Sequence, residues 1–509
     1  SFYLSCKDRE INRNKEMHLK RNKKAFLNFS EIKNSLVFLI FFIITFFIRF
    51  PFFFRDYIDR DESTFILLGQ SWADGFLPYT QLWDLKPPLT FAFFAAIISV
   101  FGKSFIAIRL AGVFLVVVTA YFTYKIALSV LSKKASIIVG VLCIFLLSLF
   151  GSLQGVMSEH ICIAFFVPAI YLLQSKKTLD YTFLAGLLMG ITVMVKLNMA
   201  FPIFFIGLYL IYESFFSKKY IKILHVIIFG VGVLAIIFAT ILPYYLSDQT
   251  FVWWDSVVLA PLEYTEARRY SIFKLAPIFV VTGLFLFYAY KSRNLNFRNR
   301  TVQIVLVAIA GVLVSFVKGG RINGHYLIQL HPMLLILVAI VVQKLTIDYK
   351  PKVPKYVLLL VLLVPAESYL EYANILKNKY ERNTFFNGEG FSVPSFIKKN
   401  NLETKNILFF EYHIGYWHLD TLPPTIASTH PSNICRDELF TFFDNPRNNS
   451  LEELKYIMEE LQPKTVVIRK GRRILDKKEI EENEYIDAYL AKHYRNFATV
   501  ENAEILQRL

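Results

Sequence analysis

Cysteine is scarce in this chain. Cys6, Cys143, Cys162 and Cys435 are all it has among 509 residues. Two lie inside apolar runs and one in a basic tail, so no disulfide framework is implied, and no CxxC spacing offers a metal knuckle. No repeat of fixed period runs along the sequence, nor any inverted pair of broken apolar segments, which argues against a solenoid or an inverted-repeat transporter. A cleavable signal pattern is also missing, and since the chain does not begin with Met, Met17 is read as the true start. Charge is thin too, at 19%.

What is present is hydrocarbon. The chain is 55% hydrophobic and 16% aromatic, with a positive mean hydropathy, the composition of a polytopic membrane protein. A formal charge of +16 suggests nucleic acid at first sight. The basic residues, however, sit in short clusters between apolar segments, as cytoplasmic loops do, so nucleic-acid binding is excluded.

A basic tail, 1–33, holds nine Lys/Arg against four Asp/Glu. Spans are then expected at 34–54, 105–131, 135–151, 158–175, 180–196, 198–216, 222–246, 273–290, 301–317, 325–346 and 354–370. The segment 89–101 is short and is read as lying at the membrane interface. With eleven spans, Lys133-Lys134, Lys176-Lys177, Lys218-Lys219 and the later clusters share the cytoplasmic side with the N-terminus. The expected organisation is a tail (1–33), a membrane domain (34–370, first outer loop 55–104) and a small outer α/β domain (371–509). In that last part, Asn406–Glu411 and Thr465–Arg469 read as strands. Ser450–Leu461 and Lys478–Leu490 read as helices, with Ser450 as N-cap. His413, Trp417, His418 and His430 are assigned to packing or surface, and no catalytic residue is placed there.

Chemistry concentrates in the first outer loop, FRDYIDRDESTFILLGQSWADGFLPYTQLWDLKPPL, which carries Asp59, Asp61, Glu62, Asp74, Asp84 and Lys86. Ionisable residues at span ends cost on the order of 3 kcal/mol at mid-bilayer and so call for a reason. On this topology Glu159, His160, Lys196, Lys318, Arg321, His325 and Tyr326 gather on the same face as the loop. Each alone has a bland explanation: a snorkelling lysine, a helix N-terminus, a proline-led first turn. Together they suit transfer of a group from a lipid phosphate. Cations would stabilise the departing phosphate and a carboxylate would take the acceptor's proton. A second carboxylate would orient the sugar or hold a divalent cation, for which Glu62 and Glu159 are the candidates.

The loop motifs, DE followed by LLGQSWADGFLPYTQLWDLKPPL and FGKSFIAIRLAGV, resemble the first outer loop of the C-type glycosyltransferases. The likeness runs over about 35–346. It is narrowest to the bacterial branch related to protein O-mannosyltransferases and the lipid A aminoarabinose transferase. It implies an all-α polytopic fold, a polyprenyl-phosphate sugar donor, and hexosyl or pentosyl transfer to an acceptor of the cell envelope outside the plasma membrane. Asp61 then matches the catalytic base or acceptor-site acid, with Glu62 beside it. Lys86 matches the lysine that meets the lipid phosphate, and Glu159 an acidic position at the start of a later span. Lys196 matches a lysine of a TKG-like sequence, here VKL. Lys318, with Arg321 and Tyr326, matches a KGKxPxY-like turn, here KGGRINGHY. Leu85 stands where the aminoarabinose enzyme has glutamate, and the loop 247–272 has no histidine to match a metal ligand of that branch, so that substrate is not carried over. A lipid-linked saccharide flippase and a non-catalytic membrane scaffold are the rival classes.

Overall fold

The structure, a computed structural model, describes residues 32–56, 59–175, 177–217, 222–267, 273, 276–319, 323–349 and 360–509. The first apolar run forms α1 (Asn34–Arg49), prolonged by the 3-10 turn Phe50–Phe54. Then come α2 (Arg60–Ala73), α3 (Pro88–Phe101), α4 (Phe105–Ala127), α5 (Lys133–Ser148), α6 (Ser158–Ser175), α7 (Leu179–Val195), α8 (Ala200–Tyr212) and α9 (Ile223–Leu246). Among the described residues, seven helices are long and apolar enough to cross a membrane: Asn34–Phe54, Phe105–Ala127, Ser158–Ser175, Leu197–Phe216, Ile223–Leu246, Arg300–Gly319 and His331–Tyr349. Shorter apolar helices are Pro88–Phe101, Leu179–Val195 and Ala276–Lys291. Most expected spans are therefore present as helices within a few residues. The segment expected at 325–346 begins instead with a 3-10 turn, Gly324–Gln329, before its helix at His331. Of the run expected at 354–370, residues up to 359 lie outside the described residues. The remainder is a 3-10 turn, Leu360–Leu363, followed by the polar helix Ala366–Arg382.

Two of the bundle's helices touch backbone to backbone. Gly186 and Gly190 stand one turn apart on α7, the first facing Gly232 of α9 and the second Val233 and Ile236 of the same helix. A Cβ on Gly186 would lie 2.3 Å from the Phe229 carbonyl oxygen and 3.1 Å from the Gly232 Cα. Between apolar helices in lipid, association rests on such close packing, because burial from water contributes nothing there.

The segment between α1 and α4 folds as a helical hairpin. Asp59 caps α2 by accepting from the Asp61 amide at 2.9 Å, and Pro88 opens α3 at a position that has no amide partner to lose. This hairpin is fixed to the bundle by a buried charge knot. Arg109 of α4 donates to Glu62 at 2.8 Å and to the Phe52 and Asp56 carbonyls. Glu62 also accepts from the Val156 amide at 2.9 Å. Arg49, at the end of α1, donates to the carbonyls of Leu147, Leu153, Gln154 and Gly155. All three side chains are buried.

The C-terminal part is α/β, with a four-stranded sheet of order β1-β2-β4-β3. β1 (Leu408–Phe409) runs parallel to β2 (Thr465–Arg469), while β4 (Ala503–Arg508) is antiparallel to both β2 and β3 (Tyr494–Val500). β2 occupies the expected residues. The hairpin β3–β4 had no counterpart in the sequence reading. The helix expected at Ser450 is capped by Asn449, whose side chain accepts from the Glu452 amide, so Ser450 is its first helical residue and not its cap. A parallel bridge between Arg55 and Asn387 ties this part to the end of the first span.

Gly186→Leu should wedge α7 from α9 and cost about 1–3 kcal/mol as overpacking. It should be read as a lower unfolding temperature of the detergent-purified protein, and an unchanged temperature would remove the contact from the fold's energetics. Glu62→Gln should leave Arg109 a buried cation without its carboxylate partner and cost about 3–5 kcal/mol. The same thermal assay should place it well below the wild type.

Candidate active site

Asp61 and Glu62 are neighbours in the first turn of α2, where the helix dipole favours both charges. Successive residues of a helix point about 100° apart, and here the two carboxylates part company. Glu62 turns into the knot with Arg109, and Asp61 faces the other way, toward a cavity of about 510 Å³. Its Oδ2 lies 3.2 Å from Lys86 Nζ and its Oδ1 lies 3.2 Å from His430 Nε2. Burial opposes the Asp61 charge, but Lys86 and then His430 overcome it and hold the carboxyl well below the usual range. Burial likewise works against the Lys86 ammonium, and Asp61 followed by Asp84 raises it above the ordinary lysine value.

Lys86 is placed by its own loop. Tyr79, held at φ 71, donates its hydroxyl to the Lys86 carbonyl at 2.6 Å, and the following Pro87-Pro88 start α3. The segment around His430 clips onto the same loop. The Trp83 amide donates to Thr429 Oγ1 at 3.4 Å, and Asn433 Nδ2 donates to the Trp83 carbonyl at 3.3 Å. His430 Nδ1 accepts from the Ser432 amide at 3.0 Å. That bond leaves Nε2 as the protonated nitrogen of the neutral ring, so it donates to Asp61.

Apolar side chains line the cavity, from Leu85, Pro87, Leu197, Phe201, Pro261 and Leu262. Among them stand cations: Lys86, Lys196, Lys318 and Arg436. Lys196 follows the end of α7 but does not snorkel. It is buried in an ion pair with Glu159 and stands 4.2 Å from the centre of the Tyr326 ring. Tyr326 lines the cavity, and His325 Nε2 lies 3.7 Å from Glu159 behind it. Burial pushes the His325 imidazole below its usual value. Lys318 is exposed at the end of the helix Arg300–Gly319 and lines the cavity. His160 does not reach this space: its Nε2 is 2.7 Å from the Leu147 carbonyl and its Nδ1 accepts from the Met157 amide. Arg321 lies outside the described residues.

His430, Arg436 and Asp84 line the cavity although none of them was assigned a site role from the sequence. His430 and Arg436 come from the C-terminal part, where no catalytic residue was placed. Arg436 is 4.8 Å from the Tyr264 ring centre, across the cavity wall. Asp84, one residue from the position expected to be acidic, is buried with its Oδ2 lacking a hydrogen-bond partner. The two candidates for a divalent cation do not fit one. Glu62 is committed to Arg109 and Glu159 to Lys196. The described residues hold no group of three or more His, Cys, Asp or Glu placed to bind a metal.

Residues 85–244 match the family described as dolichyl-phosphate-mannose-protein mannosyltransferase. No curated protein matches the chain. Among solved structures, ArnT from Cupriavidus metallidurans, bound to undecaprenyl phosphate, superposes with a TM-score of 0.58 at 12% identity, covering 93% of this chain and 98% of that one. The apo oligosaccharyltransferase of Archaeoglobus fulgidus gives 0.46 at 11% identity, over 87% and 70%. The same protein in complex with Zn and sulfate gives 0.42 at 13%, over 90% and 71%. These last two are too loose to argue from. The chain is thus a multi-pass membrane protein with the ArnT-like, C-type glycosyltransferase fold, carrying within it a segment that matches the protein mannosyltransferase family.

Proposed function

We propose that this protein transfers a sugar from a polyprenyl-phosphate donor to an acceptor outside the cytoplasm, with Asp61 as general base. The observation that carries the reading is the Asp61 carboxylate, gripped by Lys86 and His430 at the wall of a cavity lined by both apolar and cationic side chains. The ArnT whose fold this chain resembles was solved with undecaprenyl phosphate, a ligand of two halves, an isoprenoid and a phosphate.

In this mechanism the isoprenoid lies on Leu197, Phe201 and Leu262 and the phosphate meets Lys86, Lys196, Lys318 and Arg436. The acceptor hydroxyl gives its proton to Asp61. Its oxygen bonds to the anomeric carbon as the bond from that carbon to the phosphate oxygen breaks. The phosphate leaves with the electron pair, its charge met by the cations. A carboxylate held by an ammonium is a weak base. A donor phosphate that draws Lys86 toward itself weakens that hold and raises the proton affinity of Asp61 as the acceptor arrives. Asp84, with its unpartnered oxygen, receives a sugar hydroxyl. Glu159 and His325 position Lys196 and Tyr326, while Glu62 and His160 act at one remove, by fixing the helices. No step is routed through a metal ion. The Asp61 end of the bundle faces outward and the basic tail faces the cytoplasm.

Purified protein in lipid, offered radiolabelled polyprenyl-phosphate sugars and a cell-envelope extract, should transfer one of them. Asp61→Asn should lower that rate by about 100-fold or more while folding is kept. Equal transfer by both proteins would remove Asp61 from the mechanism. His430→Ala takes away a donor to the ionised carboxylate, so the Asp61 pKa should rise. The acid limb of the pH profile of kcat/KM, which reports the free enzyme's base, should move to higher pH. A limb that stays in place would confine His430 to a structural role.

A further inference from the structure

A second cavity, of about 420 Å³, lies at the junction between the end of the first span and the C-terminal sheet. Its walls come from Arg55 and Asp56, the helix Ala366–Arg382, the turn at 387–389, and the ends of β1, β2 and β3. The helix contributes Glu371, Asn374, Asn378 and Arg382, which share one face by their spacing of three and four. A face that a helix turns toward its own fold is ordinarily apolar. This one is amide and charge throughout.

The charges in the cavity balance one another. Arg55 pairs with Glu371 at 3.6 Å and Arg382 with Glu501 at 2.7 Å. Asn502 Nδ2 donates to Glu389 at 2.8 Å, and Asn387 Nδ2 to Glu371 at 3.2 Å. Two groups stand apart from this network. The Asn378 side chain is 7% exposed, and among the described residues it makes no hydrogen bond. The Arg469 guanidinium, at the end of β2, makes neither a hydrogen bond nor an ion pair among them. The Asn378 amide atoms stay accessible from the cavity they line, open to a partner there.

We propose that this cavity is a saccharide-binding site, taking a polyhydroxylated segment of the acceptor. Planar amides, guanidinium groups and paired carboxylates offer donors and acceptors in fixed directions, as hydroxyl groups need. The near balance of charge disfavours a phosphate or polyanion, and the lack of an apolar wall disfavours a lipid chain. Arg469 also lines a smaller neighbouring cavity together with Arg60 and Pro431, which adjoin Asp61 and His430 in sequence. The two cavities thus share Arg469 at their boundary. That assignment as acceptor rests on the function proposed above; the binding of sugar does not.

The test is saturation-transfer NMR on full-length protein in detergent. The probes are mannose, glucose, galactose, N-acetylglucosamine and glucuronate, with inorganic phosphate as comparison. At least one sugar should bind wild type and Asp61→Asn alike. Asn378→Leu and Arg469→Met should each weaken it about tenfold or more, at unchanged unfolding temperature. Three results would overturn the site: no sugar binding, binding unaltered by either replacement, or binding lost in Asp61→Asn and kept in the other two. If instead sugar binds as expected while Asp61→Asn still transfers, the saccharide site stands and the role of Asp61 falls.

Discussion

Two arginines and one glutamate, set among apolar helices, decide where everything at this end of the molecule stands. A guanidinium cannot be left unpaired in such a place, and removing it from water is repaid only when most of its donors find acceptors. Arg49 bonds its two Nη groups to four carbonyls of the stretch 147–155, and Arg109 bonds its own to Glu62 and the carbonyls of Phe52 and Asp56, so that only the Nε of each is left buried without a partner among the described residues. The first span, α2, α4 and the entry to α6 are thereby fixed about one point. The direction in which α2 presents its opposite face, and hence Asp61, follows from that fixation.

The site is accordingly a division of labour along a single helix turn. One carboxylate of the pair holds the scaffold and the other meets the cavity. The same pattern recurs at the far wall, where Glu159 neutralises Lys196 inside the protein while Lys196 and Tyr326 stack at the surface of the cavity. Charges that would be prohibitive singly are tolerable in such matched pairs, and the chain keeps its surplus of cations for the space between them.

Much of this was legible beforehand, for physical reasons. Span positions followed from hydrocarbon length, and Asp61 and Lys86 from a loop whose motifs resembled a known family. Glu62 was read as a site acid beside Asp61, because only the rotation of α2 shows that it turns away to meet Arg109. His430 was passed over because it lies among short 3-10 turns with no periodicity to mark a face. Its role exists only through the docking of Thr429 and Asn433 on the loop at Trp83. The β3–β4 hairpin escaped notice for a related reason: β3 is largely exposed and so lacks a clean alternation of apolar and polar residues.

His430 and Asp61 are separated by 369 residues along the chain. A ribosome delivers the lipid-facing helices and the loop with Lys86 long before it delivers the histidine. Throughout that interval the nascent chain owns its membrane groove and its cations but lacks the ring that holds the carboxylate. Full alignment arrives only with the last domain, so a chain truncated during its own synthesis is left with an unaligned Asp61 carboxylate.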